Sequence, residues 1–282
     1  MARTTVVVAT RDRVGELART LGFLRELDVP VVVVDNGSTD GTVARVRREF
    51  PEVRLIPLER NVGASARNVG VRAAGTPYVA FSDDDSWWAP GALRRSEELF
   101  DAHPGLGLIA ARVVVEPGGE LDPVCRVMAA SPLGVEPDLP GPSVLGFVCC
   151  GSVVRRDAFL EVGGFSPVLF FIGEERLLSW DLAVAGYACC YVDDVVAHHQ
   201  PSLVRGPAAA RRRAELRNDL LTTWLRRPWR RALAGTVALL GRGVGDPDAR
   251  GALGSALLRL PVVARQRRVL PPDVERRVLA VG

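Results

Sequence analysis

Carboxylates gather at three places in this sequence, each directly behind an apolar run. Residues 78–81 lead into Ser82-Asp83-Asp84-Asp85-Ser86-Trp87-Trp88. Three consecutive aspartates repel one another, so placing them at a strand end is costly unless they share a cation. Hard oxygen ligands of this kind suit Mg²⁺ or Mn²⁺, with substrate phosphates completing the shell. The plainer reading is a solvated acidic turn ahead of a helix at Pro90. A second group, Gly173-Glu174-Glu175, follows Phe170-Phe171-Ile172. It fits simple first-turn charges on a helix dipole. It equally fits a general base, because desolvation and mutual repulsion would raise the pKa of one carboxyl. The third group closes the run 31–34 with Asp35-Asn36-Gly37-Ser38-Thr39-Asp40-Gly41-Thr42. Asn-Gly and Asp-Gly supply tight turns, and Asp40 can cap the next helix. At a strand end, the Asp35 carboxylate could also accept hydrogen bonds from a base or a ribose.

The elements that hold these groups alternate between two signatures. Residues 5–9 and 31–34 are short β-branched runs of the kind found in strands buried on both faces. Between them Val14, Leu17, Leu21, Leu24 and Leu27 recur at helical spacing. The pattern predicts a further helix after Asp40, a strand over 53–56, a helix over 64–74 and a strand over 78–81. Repeated βαβ units imply a parallel sheet with helices on both sides, and ligands in such sheets sit at the carboxyl ends of the strands. Beyond residue 115 the pattern loosens into a turn at 116–119 and a Pro-rich loop over 131–142. The apolar run 144–154 resumes regular structure. Helices are predicted from 156 and over 174–185, then a strand around 190–192. The chain from 206 onward reads as helical, punctuated by Pro228, Pro247, Pro261 and Pro271-Pro272.

Composition narrows the classes. The 282 residues are 48% hydrophobic and 24% charged, enough for a sizeable core and too apolar for a disordered chain. All 36 basic residues are arginine, against 33 acids. Five cysteines, at 125, 149–150 and 189–190, lack C-x-x-C spacing and read as buried thiols in a reducing compartment. The opening apolar stretch is too short for a signal peptide, and no window approaches the ~20 apolar residues of a membrane span. A cytoplasmic protein is the expectation.

Four blocks, in order, resemble the family 2 glycosyltransferases. They are the Asp35–Thr42 segment, Asn61-Val62-Gly63-Ala64-Ser65-Ala66-Arg67-Asn68-Val69-Gly70, the Asp83-Asp84-Asp85 run with Trp88 and Pro90, and Gly163-Gly164-Phe165 leading to Gly173-Glu174-Glu175. Together they span roughly residues 4–200. The resemblance implies an α/β protein of GT-A type, a nucleotide-binding fold with a mostly parallel sheet flanked by helices, plus a C-terminal helical extension. Residues 1–115 would form the nucleotide-sugar half, 116–205 the acceptor half, and 206–282 the extension. It implies that Thr10, Arg11, Asp35, Asn36, Gly63, Arg67, Asp83 and Asp84 bind the donor. Asp85, Asp83 and His198 would hold Mn²⁺ or Mg²⁺, with His199 a weaker candidate. Glu175, beside Glu174, would be the catalytic base of a single inverting displacement from a UDP-, dTDP- or GDP-sugar. The acceptor would be a glycan, a lipid-linked or a small-molecule hydroxyl. One departure stands out: the family commonly reads Glu-Asp-x-Asp-Leu where this chain has Glu174-Glu175-Arg176-Leu177-Leu178. That change bears on acceptor identity more than on activity. A silent nucleotide-sugar-binding or scaffold protein, or a metal-dependent nucleotidyltransferase, are the alternatives. A processive synthase is disfavoured, since no Gln-x-x-Arg-Trp motif is present.

The charge is uneven. From 205 to 231 there are nine arginines against Glu215 and Asp219, attached to a net acidic remainder. Leu216, Leu220, Leu221, Trp224, Leu225 and Trp229 recur at helical spacing over 208–231, so this segment reads as a basic amphipathic helix. Such a helix suits an anionic membrane interface, here the inner face of the cell membrane. The competing reading packs the apolar stripe on the rest of the protein and leaves the arginines in water. No nucleic-acid motif accompanies the charge, and no nucleic-acid partner is expected.

Overall fold

A computed structural model describes residues 2–202 and 207–282. Arg205 and the expected boundary at 206 lie outside the described residues. The first part alternates as the periodicity predicts: β1 (Thr4–Thr10), α1 (Val14–Arg25), β2 (Val31–Asp35), α2 (Thr42–Glu49), β3 (Arg54–Pro57), α3 (Ala66–Ala73) and β4 (Tyr78–Asp83). The four strands are parallel, in the order β3-β2-β1-β4. Their β-branched runs are explained by burial on both faces. Val6 and Val8 pack with Leu17, Leu21 and Leu24 of α1 on one side, while Val7, Val32 and Val34 pack with Ala66 and Val71 of α3 on the other.

The second part comprises β5 (Ser86–Trp88), α4 (Ala92–Ala102), β6 (Leu106–Val115), β7 (Glu120–Leu121), α5 (Pro123–Ala129), β8 (Ser152–Arg155), α6 (Arg156–Glu161), α7 (Glu174–Val184) and β9 (Ala188–His199). Strand β8 enters between β4 and β6, antiparallel to both, so the single sheet of the described residues is mixed, with order β3-β2-β1-β4-β8-β6-β9-β5. Three expectations shift here. The predicted helix over 64–74 opens as a tight 3₁₀ turn, Gly63–Ser65. The run 144–154 is irregular until a 3₁₀ turn at Cys149–Gly151, just ahead of β8. The last strand runs on to His199, so both histidines lie inside it rather than after it. All five cysteines are free and buried.

The extension consists of α8 (Ala208–Arg226), α9 (Trp229–Gly243), α10 (Pro247–Leu257), α11 (Leu260–Gln266) and α12 (Pro272–Val281). The single basic helix expected over 208–231 is broken at Pro228, as a proline without an N–H requires. Its apolar stripe is not free. Leu220, Leu221, Trp224 and Leu225 are buried against Val168, Leu169 and Leu177 and against Ala249, Ala252 and Ala256 of α10. For α8, therefore, the packing reading holds and the membrane reading does not.

Candidate active site

Strand β4 ends at Asp83, and Asp84 and Asp85 form the turn into β5. The cation shared by this acidic run comes from the chain itself. Arg13, just ahead of α1, donates from Nη1 to Asp84 Oδ1 and Asp85 Oδ2, each at 3.1 Å. Thr10, at the end of β1, donates to Asp84 Oδ2 at 2.9 Å. Burial pushes the Asp84 carboxyl up to about 7 despite Arg13. Burial acts the same way on Asp85, but His199 and Arg13 outweigh it and leave Asp85 below the ordinary carboxylate range. Arg13 was not singled out from sequence. Its position one turn beyond a strand end is the signal that could have found it.

Asp83 is paired separately. Arg67, buried in α3, donates Nη2 to Asp83 Oδ1 at 2.5 Å. The same guanidinium faces the carboxyl pair at the start of α7, where it lowers the proton affinity of Glu174 and Glu175. It does not win. Desolvation, helped by Glu175, raises Glu174 to about 8, and burial likewise raises Glu175. Glu174 is fully enclosed and its Oε2 has no hydrogen-bond partner, whereas Glu175 is partly accessible.

The second and fourth sequence blocks meet because backbone polar groups join them. Asn68 accepts from the Phe165 N–H at 2.9 Å and donates to the Phe165 carbonyl at 2.8 Å. The Ala64 N–H donates to the Phe170 carbonyl at 2.6 Å. A Cβ on Gly63, which sits at φ +66°, would lie 2.0 Å from that carbonyl oxygen, so only glycine lets the acid-pair loop approach. From the extension, Asn218 of α8 donates its amide to the carbonyls of Leu169, Phe171 and Ile172. The loop ahead of Glu174 is thus clamped from both sides.

The remaining candidates divide. Asp35 is buried at the end of β2. Its Oδ2 accepts from the Ser38 N–H, and its Oδ1 has no partner, an orphan acceptor suited to a ligand N–H or O–H. Asn36 is occupied in structure, accepting from the Val62 N–H and donating to the Gly63 carbonyl. Arg11 is exposed beside Asp12. Asp40 caps two helices, accepting from the Val14 N–H through Oδ2 and from the Thr42 N–H through Oδ1. The two histidines have different neighbours. His198 pairs with Glu116 at 2.9 Å and stacks on Trp87, away from the aspartates. His199, with the opposite strand parity, brings Nε2 to 3.4 Å from Asp85 Oδ1. That oxygen is buried and otherwise unpartnered, and its charge raises the proton affinity of His199 against the effect of burial.

Among the described residues, no three His, Cys, Asp or Glu side chains are arranged to hold a metal ion by themselves. The residues nonetheless fit a divalent cation bound together with a diphosphate. Such cations often take only one or two carboxylates from the protein and the rest of their shell from phosphates and water. Asp85 Oδ1, an unpartnered buried oxygen beside His199, is the atom that suits it.

Comparison with known proteins points to glycosyltransferases. A family model described as "Glycosyl transferase family 2" matches residues 5–163. The chain is 29% identical to an N-acetylglucosaminyl-diphospho-decaprenol L-rhamnosyltransferase of Mycobacterium tuberculosis, with 78% of this chain and 84% of that one covered. It is 32% identical to a pre-mycofactocin glycosyltransferase of the same organism, over 71% of this chain and 43% of the relative. In fold it is similar to a mannosyltransferase from Pyrobaculum calidifontis solved with GDP-Man and Mn²⁺, with a TM-score of 0.61, 22% identity, and 99% and 85% of the two chains covered. It is also similar to S. aureus TarS in complex with UDP-GlcNAc, with a TM-score of 0.59, 17% identity, and 78% and 66% covered.

Proposed function

The chain belongs to glycosyl transferase family 2, and from that premise we propose that it transfers a sugar, with inversion, from a nucleoside diphosphate donor to a hydroxyl of a lipid-linked acceptor. The observation that carries this reading is Arg67, which stands between Asp83 of the acidic turn and the carboxyl pair of α7. One buried cation thus spans the place where a diphosphate departs and the place where a proton is removed.

In the proposed mechanism Asp35, with its orphan oxygen, and Thr10 receive the nucleoside. Arg13 neutralises Asp84 and Asp85 until the donor enters. Asp85, with His199, would hold Mn²⁺ or Mg²⁺, whose positive charge offsets charge developing on the leaving diphosphate. Glu175, the accessible member of its pair, takes the proton of the acceptor hydroxyl as that oxygen attacks the anomeric carbon. The C–O bond to the diphosphate breaks on the opposite face, so the anomeric configuration inverts and no covalent enzyme intermediate forms. Burial holds the proton affinity of Glu175 above that of a free carboxylate, which makes it a stronger base when ionised. The acceptor class is taken from the rhamnosyltransferase relative, whose name places its acceptor on a decaprenyl diphosphate.

The test is a calorimetric titration of UDP, dTDP and GDP, with and without Mn²⁺, on the wild type and on Asp85→Ala. Metal-dependent binding of one nucleotide, weakened at least tenfold in the variant, is expected. If no nucleotide binds under any metal condition, the donor site is misassigned and a silent scaffold becomes the better reading.

A further inference from the structure

With α8 occupied by packing, the exposed apolar surface of the extension lies on the next helix. At about 100° per residue, Trp229, Leu233, Val237, Leu240 and Val244 fall within an arc of about 80°. They form one row along α9 and onto the residue that ends it, and all are exposed, from 56% at Leu233 to 86% at Val244. The face beside the row is satisfied: Leu239 is buried, and Thr236 accepts from the indole N–H of Trp224 on α8. The outward row is therefore not a core stripe awaiting a neighbour within the described chain.

We propose that this face of α9 lies in the surface of an anionic lipid bilayer. The positive charge of this part of the chain selects that occupant. Helix α9 carries no carboxylate, and Arg230, Arg231 and Arg242 make no ion pair among the described residues. Arg230 instead lies over the Trp229 ring at 5.6 Å. Across residues 207–282, sixteen arginines face six carboxylates, whereas the remainder of the chain is net acidic. An exposed tryptophan at one end of an apolar row, with the unpaired Arg230 at the row's edge, matches the headgroup boundary, where an indole sits half in hydrocarbon and a guanidinium meets phosphates. Two copies stacked through the same row would instead bring two net-positive extensions together. No described helix is long and apolar enough to cross a membrane, so the contact is with the surface only. The binding stands apart from the acceptor assignment, because it requires no turnover.

The experiment is co-sedimentation of the full chain with phosphatidylcholine vesicles, with and without 30% phosphatidylglycerol, read together with tryptophan emission. The wild type is expected to bind the anionic vesicles at least tenfold more tightly than the neutral ones, with a blue shift that Trp229→Phe removes. Leu233→Glu/Val237→Glu is expected to reduce binding at least tenfold. Arg230→Gln/Arg231→Gln/Arg242→Gln is expected to weaken the preference for anionic lipid. All these side chains are exposed, and unchanged thermal melts verify the fold. Absence of vesicle binding by the wild type, or full binding by a folded Leu233→Glu/Val237→Glu, overturns the proposal. So does a lipid-free dimer that the same double substitution disperses, since the row would then be a contact between copies.

Discussion

Arg67 and Asp83 form a short ion pair, Nη2 to Oδ1 at 2.5 Å, with the arginine fully enclosed and the aspartate partly open. A buried cation of this kind is held chiefly by its partner Asp83, and it also lowers the proton affinity of Glu174 and Glu175. Removing it leaves Asp83 without its partner and the acid pair without a neighbouring cation in a poorly hydrated site.

Arg67→Ala is accordingly expected to lower kcat/KM by about 10²–10³-fold, the scale of losing one preorganised electrostatic group. Because Arg67 lowers the proton affinity of Glu175, its loss raises that affinity further. The acid limb of the pH–rate profile should move to higher pH. Steady-state rates between pH 5 and 9 check both effects, and a uniform drop with an unmoved limb would contradict the second.

Glu174 carries a stability signature. Its folded carboxyl titrates at about 8, above the ordinary 4.5, because burial disfavours the anion. A group raised on folding contributes stability that is full below its unfolded pKa and is lost as pH rises through the folded one. Denaturant midpoints of the wild type should therefore fall between about pH 4.5 and 8. In Glu174→Gln that fall should be markedly smaller.

Cation binding should depend on the nucleotide. With no group of three protein ligands among the described residues, Mn²⁺ alone is expected to bind weakly and to bind well only with a nucleoside diphosphate. His199→Ala should weaken the joint complex about tenfold and His198→Ala leave it within twofold, since only His199 approaches Asp85. Paramagnetic relaxation of water by Mn²⁺ measures this directly.

Asn68 ties α3 to Phe165 through two buried backbone bonds. Asn68→Ala strands a donor and an acceptor, and at about 1–3 kcal/mol for each the cost should be about 2–6 kcal/mol in urea unfolding. Asn68→Asp, which keeps the acceptor alone, should fall between the two.

The parallel half of the fold was readable because β-branched runs buried on both faces alternate there with a clean helical period. Strands β8 and β9 were less so: one is four residues long, and the other is interrupted by Asp193 and Asp194 before it resumes through Val195-Val196-Ala197 to the two histidines. The acidic turn and the acid pair were legible as local clusters. Arg13 and Asn218 were not, because each acts on a segment about fifty residues away or more, and nothing in its own neighbourhood announces the partner. Which histidine lies beside Asp85 turns on strand parity, which requires knowing that β9 extends that far. The amphipathic period over 208–231 was real, yet periodicity alone does not say whether protein or lipid covers an apolar stripe.

The most direct test of the account is transfer by wild type and Glu175→Gln, with the nucleotide identified by calorimetry, its corresponding sugar donor, Mn²⁺ and a polyprenyl-diphosphate-linked acceptor. The anomeric configuration of the product is read by NMR. The account predicts an inverted linkage from the wild type and a rate at least about 10³-fold lower from Glu175→Gln, with nucleotide affinity unchanged. A retained configuration, or undiminished turnover by Glu175→Gln, would contradict it.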